Sequence, residues 1–160
     1  MSERTRDLLA LGAFLAACFA VAAIGSAFTA RAVDAWYAAL RKPAWTPPSP
    51  VFGPVWAVLY AAMALAAWLV WREVGHRWLA PPLRLFWIQL ALNLGWTAIF
   101  FGLRAPGPAL LEIVVLLAFV VAAMIAFWRV TAPAGLLFVP YVIWVGYATA
   151  LNAAIWRMNA

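Results

Sequence analysis

Residues 8–30 read LLALGAFLAACFAVAAIGSAFTA, a run with no charged side chain. A helix of ~20 such residues, rising 1.5 Å each, crosses the ~30 Å hydrocarbon core of a bilayer. Working outward from this run, four more stretches follow at residues 44–71, 85–103, 105–128 and 130–156, interrupted by the single carboxylate of Glu112. The chain is 69% hydrophobic and 10% charged, against roughly 25% charged in an ordinary soluble domain. A soluble surface this poor in charge would carry apolar patches large enough to aggregate. In hydrocarbon every backbone polar group must be satisfied internally, which selects helices here. The sequence therefore predicts an all-α integral membrane protein, a bundle of five transmembrane helices with a long structured loop between the first and second. The spans fall at about 8–28, 51–71, 83–103, 109–128 and 136–156, in one membrane domain over residues 1–160.

The net charge of +6 raises the question of nucleic acid. The basic residues are scattered at the ends of apolar runs instead of forming a stripe, so nucleic acid is not expected as a partner. Arg31, Arg41, Lys42, Arg72, Arg77, Arg84, Arg104, Arg129 and Arg157 flank or separate the spans, where such side chains anchor helix ends at headgroup level. Five spans put six basic residues on one side and five on the other, too even a split to orient the bundle. The segment Arg4, Arg6 and Asp7 before Leu8 has some look of a secretory signal. The apolar run behind it exceeds the usual 7–15 residues, and a first transmembrane helix is the better reading.

Proline places the connections. The segment from about residue 29 to 50 is the longest, and Arg41-Lys42-Pro43-Ala44-Trp45-Thr46-Pro47-Pro48-Ser49-Pro50 is too rich in proline to continue a helix. Stiffened in this way and carrying tryptophan, it is expected to fold as a lid over one end of the bundle. Pro54 is tolerated in the first turn of the second span. Pro81-Pro82, Pro106-Gly107-Pro108, and Pro133 with Gly135 mark the later turns. Short connections make sequential helices antiparallel neighbours.

Eleven tryptophans in 160 residues is the strongest local anomaly. An interfacial aromatic belt accounts for Trp68, Trp71, Trp78, Trp128 and Trp156, which lie near span ends. Other aromatics share helical faces at i, i+4 and i+7 spacing: Trp56 with Tyr60 and Met63, Trp96 with Asn93 and Phe100, and Trp144 with Ala148 and Leu151. An asparagine is costly against lipid, so Asn93 and Asn152 should point inward, either as glue between helices or toward a ligand. Together these faces describe an aromatic cavity with few polar groups. It suits a large planar apolar molecule, which each stacked ring favours by ~0.5–1.5 kcal/mol. Gly95, Gly146 and Ala148 would leave it room.

His76 is the only histidine, expected to be an exposed polar residue in a connection, and Cys18 is the only cysteine. No disulfide within the chain and no ordinary zinc or haem ligand set can form, and no metal site is expected. No Ser/His/Asp or Cys/His arrangement and no phosphate loop is present, so conventional acid–base or nucleophilic catalysis is not expected. Glu112 is a functional candidate as an intramembrane carboxylate, with reach to the membrane interface or pairing to Arg104 as the structural alternatives. Thr97, Thr149 and Ser26 are expected to bond backbone carbonyls.

Four blocks carry a resemblance: Trp36-Tyr37 with Leu40 through Pro48; Phe52-Gly53-Pro54-Val55-Trp56-Ala57-Val58-Leu59-Tyr60; Gln89 through Asn93 with Trp96 and Phe100-Phe101-Gly102; and Pro140 through Trp144 with Ala148 through Asn152. In this order and over nearly the whole chain, they resemble the translocator protein or tryptophan-rich sensory protein family (TspO/MBR, the peripheral-type benzodiazepine receptors). The resemblance implies a five-helix bundle, commonly a homodimer, in a bacterial cell membrane. It implies binding of porphyrins, notably protoporphyrin IX, and of other planar hydrophobic ligands including isoquinoline carboxamides and benzodiazepines. No cofactor is required; porphyrin enters as ligand, and lipid is the other partner. Trp56 and Asn93 carry over as polar contacts, Trp144, Ala148 and Leu151 as a wall, and Trp45 as a loop aromatic near the ligand. With the helical faces, the expected ligand-binding set is Trp45, Phe52, Trp56, Tyr60, Asn93, Trp96, Phe100, Trp144, Ala148 and Leu151. The implied role is sensor, carrier or scavenger in tetrapyrrole and oxidative-stress physiology. Light-dependent porphyrin breakdown, with Trp56 and Trp144 as redox partners, and transport of tetrapyrrole are the alternatives. The sequence departs from the family pattern where Pro50 replaces a loop aromatic and Pro108 a tryptophan of the animal proteins. Ala153 replaces the tyrosine of a cholesterol motif, so sterol transport is the least supported role.

Overall fold

In a computed structural model describing residues 2–160, the chain forms five long helices. They are α1 (Glu3–Ala32), α2 (Ser49–Glu73), α3 (Pro81–Thr97), α4 (Pro106–Val130) and α5 (Ala132–Asn159), with no strand among the described residues. Each is long and apolar enough to cross a membrane, and the protein is a multi-pass integral membrane protein. Two π-turns, Val33–Tyr37 and Ala98–Gly102, extend α1 and α3.

All five helices start before the expected spans and all but α3 also end beyond them, for local reasons. Ser2 caps α1, its hydroxyl accepting from the Thr5 amide at 3.2 Å, and Glu3 lies in the first turn near the positive end of the helix dipole. The prolines expected to sit in connections instead open α2, α3, α4 and α5 within their first two positions, where the missing N–H costs nothing. Arg31, Arg72, Arg129 and Arg157 occupy last turns, satisfying the dipole while reaching the headgroups. The first connection is shorter than expected. Helical structure runs through Ala32 and the π-turn to residue 39, leaving residues 40–48 as the loop instead of 29–50.

α1 packs on α2 and α3, α5 on α2 and α4, and α4 on α3, closing a ring in the order α1, α2, α5, α4, α3. The ring is filled unequally. In the half distant from the 40–48 loop, a chain of rings joins four helices. Phe14 meets Phe86 at 5.8 Å, Phe86 meets Phe127 at 6.4 Å, Phe127 meets Phe138 at 4.9 Å, and Phe138 meets Tyr141 at 5.9 Å. Small residues including Ala10, Ala64, Ala67, Ala123 and Ala134 are fully packed around them. Lipid tails are as apolar as these side chains, so close packing holds the helices together.

The same end carries a polar cluster. Asp7 meets the Arg72 guanidinium at 3.2 Å, with Arg6 and His76 each at 3.8 Å. His76 is therefore half-buried and engaged, where an exposed polar residue was expected. It holds a left-handed φ of 62°, contacts Arg6 at 3.0 Å and packs edge-on against Trp71. Trp71, assigned to the belt from sequence, is buried in the core. Trp78, Trp128 and Trp156 are exposed as a belt requires, and Trp68 donates to the Asp7 carbonyl at 2.9 Å.

Candidate functional site

The half nearer the loop is hollow. A cavity of about 570 Å³ lies there among α1, α2, α3 and α5, within the ~300–1,000 Å³ typical of small-molecule sites. Nine of the ten expected residues line it: Phe52, Trp56, Tyr60, Asn93, Trp96, Phe100, Trp144, Ala148 and Leu151. Helical spacing brings them together, since turns of α2, α3 and α5 present successive i, i+3 and i+4 positions to the same space.

The aromatic wall has defined geometry. The Trp56 and Trp144 rings stand 6.5 Å apart at 89°, and Trp56 lies 5.6 Å from Tyr60. Phe52 packs edge-on against Trp144 at 5.8 Å, and Trp96 lies 5.5 Å from Phe100. These surfaces offer both a face and an edge to a flat guest.

The polar groups divide into those committed to the fold and those free. The Tyr60 hydroxyl donates to Asn93 Oδ1 at 2.6 Å, Asn93 Nδ2 donates to the Tyr141 hydroxyl at 3.0 Å, and Tyr141 donates to Gln89 Oε1 at 2.9 Å. Gln89 Nε2 then reaches the Met63 sulfur at 3.7 Å. This buried network ties α2, α3 and α5 together at the cavity wall, where Tyr60 and Asn93 also line the space, so Asn93 serves as interhelical glue. The Trp96 indole donates to Asn152 Oδ1 at 3.0 Å, and Asn152 Nδ2 donates to the Pro106 carbonyl at 2.7 Å. Among the described residues, the indole N–H groups of Trp56 and Trp144 have no partner in the chain, although both residues line the cavity. They are the donors available to a ligand.

Trp45 is not brought into the cavity. Its ring is half exposed and packs edge-on against Tyr147 at 5.5 Å, and its carbonyl accepts from the Tyr147 hydroxyl at 2.6 Å. A backbone tether therefore holds this residue against Tyr147 of α5, outside the cavity lining. Thr97 and Thr149 bond carbonyls of their own helices, as expected, whereas Ser26 is exposed at the cavity rim.

Sequence reasoning missed the wall contributed by α1 and its π-turn, including Phe19, Ala22, Ser26, Thr29, Val33 and Tyr37. Their near-regular three- and four-residue spacing was the available sign, but small residues at that spacing read equally as a packing face. Also missed was Phe101, which comes from the second π-turn, a device often found at functional sites; Asn152, weighed from sequence as glue or ligand contact, lines the cavity as well.

Glu112 stands apart from the cavity. Both carboxylate oxygens are buried without a hydrogen-bond partner, and the expected pairing with Arg104 is not formed. The carboxylate lies against Gly95 of α3, where a Cβ would sit 3.4 Å from Oε1.

The sequence profile of the TspO/MBR family matches residues 14–157. The chain is 42% identical over 158 residues to the tryptophan-rich protein TspO of Chlorobaculum tepidum, covering 96% of this chain and 98% of that one. It is 41% identical over 138 residues to the human translocator protein, covering 85% and 82% of the two chains. To the tryptophan-rich sensory protein of Cereibacter sphaeroides it is 42% identical, covering 91% and 89%. With the five-helix architecture and the blocks that build the cavity, these matches establish that the chain belongs to the TspO/MBR family.

Proposed function

We propose that this protein binds porphyrins and similar planar hydrophobic molecules in the cavity between α1, α2, α3 and α5, as a sensor, carrier or scavenger of tetrapyrroles. The observation that carries this reading is the orthogonal Trp56–Trp144 pair, whose indole N–H groups are both unpartnered on a mostly apolar wall. A flat macrocycle with a polar edge can stack on one ring, meet the edge of the other and accept from an indole N–H. The names of the relatives, translocator and sensory protein, accord with a ligand-handling role.

Titration with protoporphyrin IX in detergent, read by tryptophan quenching and the porphyrin absorption shift, tests it. Trp56→Phe and Trp144→Phe keep a ring and remove one donor, worth about 0.5–1.5 kcal/mol, so each is expected to weaken binding about two- to tenfold. Unchanged affinity in both overturns the assignment of the site.

A second reading, light-driven porphyrin degradation, draws on the same pair. Here the bound porphyrin absorbs the light and dissolved dioxygen is the oxidant. Both atoms of the dioxygen add across a bridging carbon–carbon bond of the macrocycle and end as the two carbonyl oxygens of the opened product, while an indole in contact lends an electron to the excited porphyrin and receives it back. Illumination of the purified complex with and without dioxygen decides this reading. A product that requires Trp56 or Trp144 supports it, and identical bleaching in detergent alone rejects it.

A further inference from the structure

We infer that the cavity loads sideways from the bilayer, through a slot between α1 and α2, and not through the loop that covers its end. This inference rests on the ligand reading above and adds the route by which the guest arrives.

The slot follows from how α1 leans. In the hollow half α1 is drawn against α3. A Cβ on Gly25 would lie 3.5 Å from Thr97, and one on Gly102 would lie 3.0 Å from the Phe28 ring. Those close approaches pull α1 away from α2. The opposite helix shows the result: no residue of α2 before Leu59 is buried, although Leu59, Tyr60, Met63, Ala64, Ala66 and Ala67 all are. The two helices therefore pack tightly in the dense half and part in the hollow one.

Both edges of the parting are made of small side chains, apart from the exposed Phe19 ring on α1, which also lines the cavity. Ala23, Ser26 and Ala30 on α1 and Gly53 and Ala57 on α2 all line the cavity and are all exposed at the surface of the bundle. A residue that does both marks an opening. A Cβ placed on Gly53 meets nothing within 4 Å, so the absence of a side chain there reflects open space and not crowding. An opening at this depth faces acyl chains, and a narrow slot with low walls passes a plate edge-on.

The loop end is tied shut. Arg41 N donates to Asn159 Oδ1 at 3.0 Å, and Asn159 Nδ2 donates back to the Arg41 carbonyl at 2.8 Å. Tyr147 holds the Trp45 carbonyl, and the Lys42 ammonium donates to the carbonyls of Tyr37, Ala38 and Leu40. Loading by that route breaks several hydrogen bonds, whereas loading from lipid breaks none. An apolar macrocycle also concentrates in the bilayer before it meets the protein.

The test uses two reversible cross-links in the full-length protein carrying Cys18→Ala, reconstituted in lipid nanodiscs. Ser26→Cys with Gly53→Cys, joined by a short bis-thiosulfonate reagent, closes the slot. Arg41→Cys with Asn159→Cys, joined likewise, locks the loop. Protoporphyrin IX is delivered from donor vesicles and its arrival read as tryptophan quenching. Closing the slot is expected to slow loading at least tenfold and reduction to restore it, while locking the loop leaves the rate within twofold. The reverse pattern overturns the inference. Equilibrium binding by the uncross-linked proteins is measured first, so failure of the ligand reading is seen separately. A ligand-free readout then still decides the route: quenching of Trp56 and Trp144 by lipids brominated on their acyl chains. The difference between wild type and the Trp56→Phe/Trp144→Phe double variant isolates that quenching. Its loss on closing the slot supports the opening, and its absence from the open protein overturns it.

Discussion

The network at the cavity wall makes a quantitative prediction for Tyr60 and Asn93. Asn93 bridges two helices through one bond to Tyr60 and one to Tyr141, at 2.6 and 3.0 Å. Interhelical hydrogen bonds in membrane proteins average ~0.6 kcal/mol and reach ~1.7. Asn93→Leu removes both bonds and is expected to cost about 1–3 kcal/mol on that scale. Tyr60→Phe removes one bond, strands Asn93 Oδ1 and costs about 0.5–2 kcal/mol. The two substitutions delete the same bond, so the double variant costs less than their sum by about 0.6–1.7 kcal/mol. Unfolding by dodecyl sulfate in mixed micelles, followed by circular dichroism on all four proteins, measures that difference. Additivity within about 0.3–0.5 kcal/mol would refute the network, because residues that share no bond behave that way.

Three further outcomes follow from other parts of the bundle. Gly135→Ala places a Cβ 2.7 Å from the Trp128 side chain and 2.8 Å from its Cα; a loss of about 1–3 kcal/mol is expected. Trp128→Ala should not rescue it in the same unfolding assay, since the backbone contact persists. Glu112→Gln keeps the shape of a carboxyl that has no partner, so its unfolding free energy should stay within about 0.5 kcal/mol of wild type. A larger loss would reveal a bond to that carboxyl. Trp45→Ala leaves intact the backbone carbonyl that Tyr147 holds, and protoporphyrin affinity by absorption titration should move less than twofold. A tenfold loss would return Trp45 to the site.

The helices were legible in the sequence because hydrocarbon leaves the backbone no alternative, and runs free of charge are easy to see. Their ends were not. Proline reads as a breaker, yet Pro81, Pro106 and Pro133 sit inside first turns, so each span began too late. The lining from α2, α3 and α5 was legible because tryptophan, tyrosine and asparagine are conspicuous at helical spacing. Apart from Phe19, the wall that α1 itself supplies is built of alanine, glycine, serine and threonine, which announce closeness to a neighbour as readily as distance from one. Trp45 was misplaced for a related reason. Composition showed an aromatic in a stiff loop, but the tether that decides its position is a main-chain carbonyl, which carries no residue identity. The π-turns were invisible too, since one extra residue in a helical turn leaves no trace in an apolar pattern.

The unequal filling of the ring separates two burdens within one small chain. Cohesion belongs to the ring-filled end, where Phe14, Phe86, Phe127 and Phe138 are wholly enclosed. The proposed ligand site belongs to the other end, where α2 has no enclosed residue before Leu59. Substitutions at lining positions that make no bond between helices, such as Phe52, Ala57 and Ala148, therefore draw little on the interactions that keep the helices assembled, whereas Tyr60, Asn93 and Trp96 serve both ends. Such a chain can change what it accommodates by mutation while its scaffold stays intact.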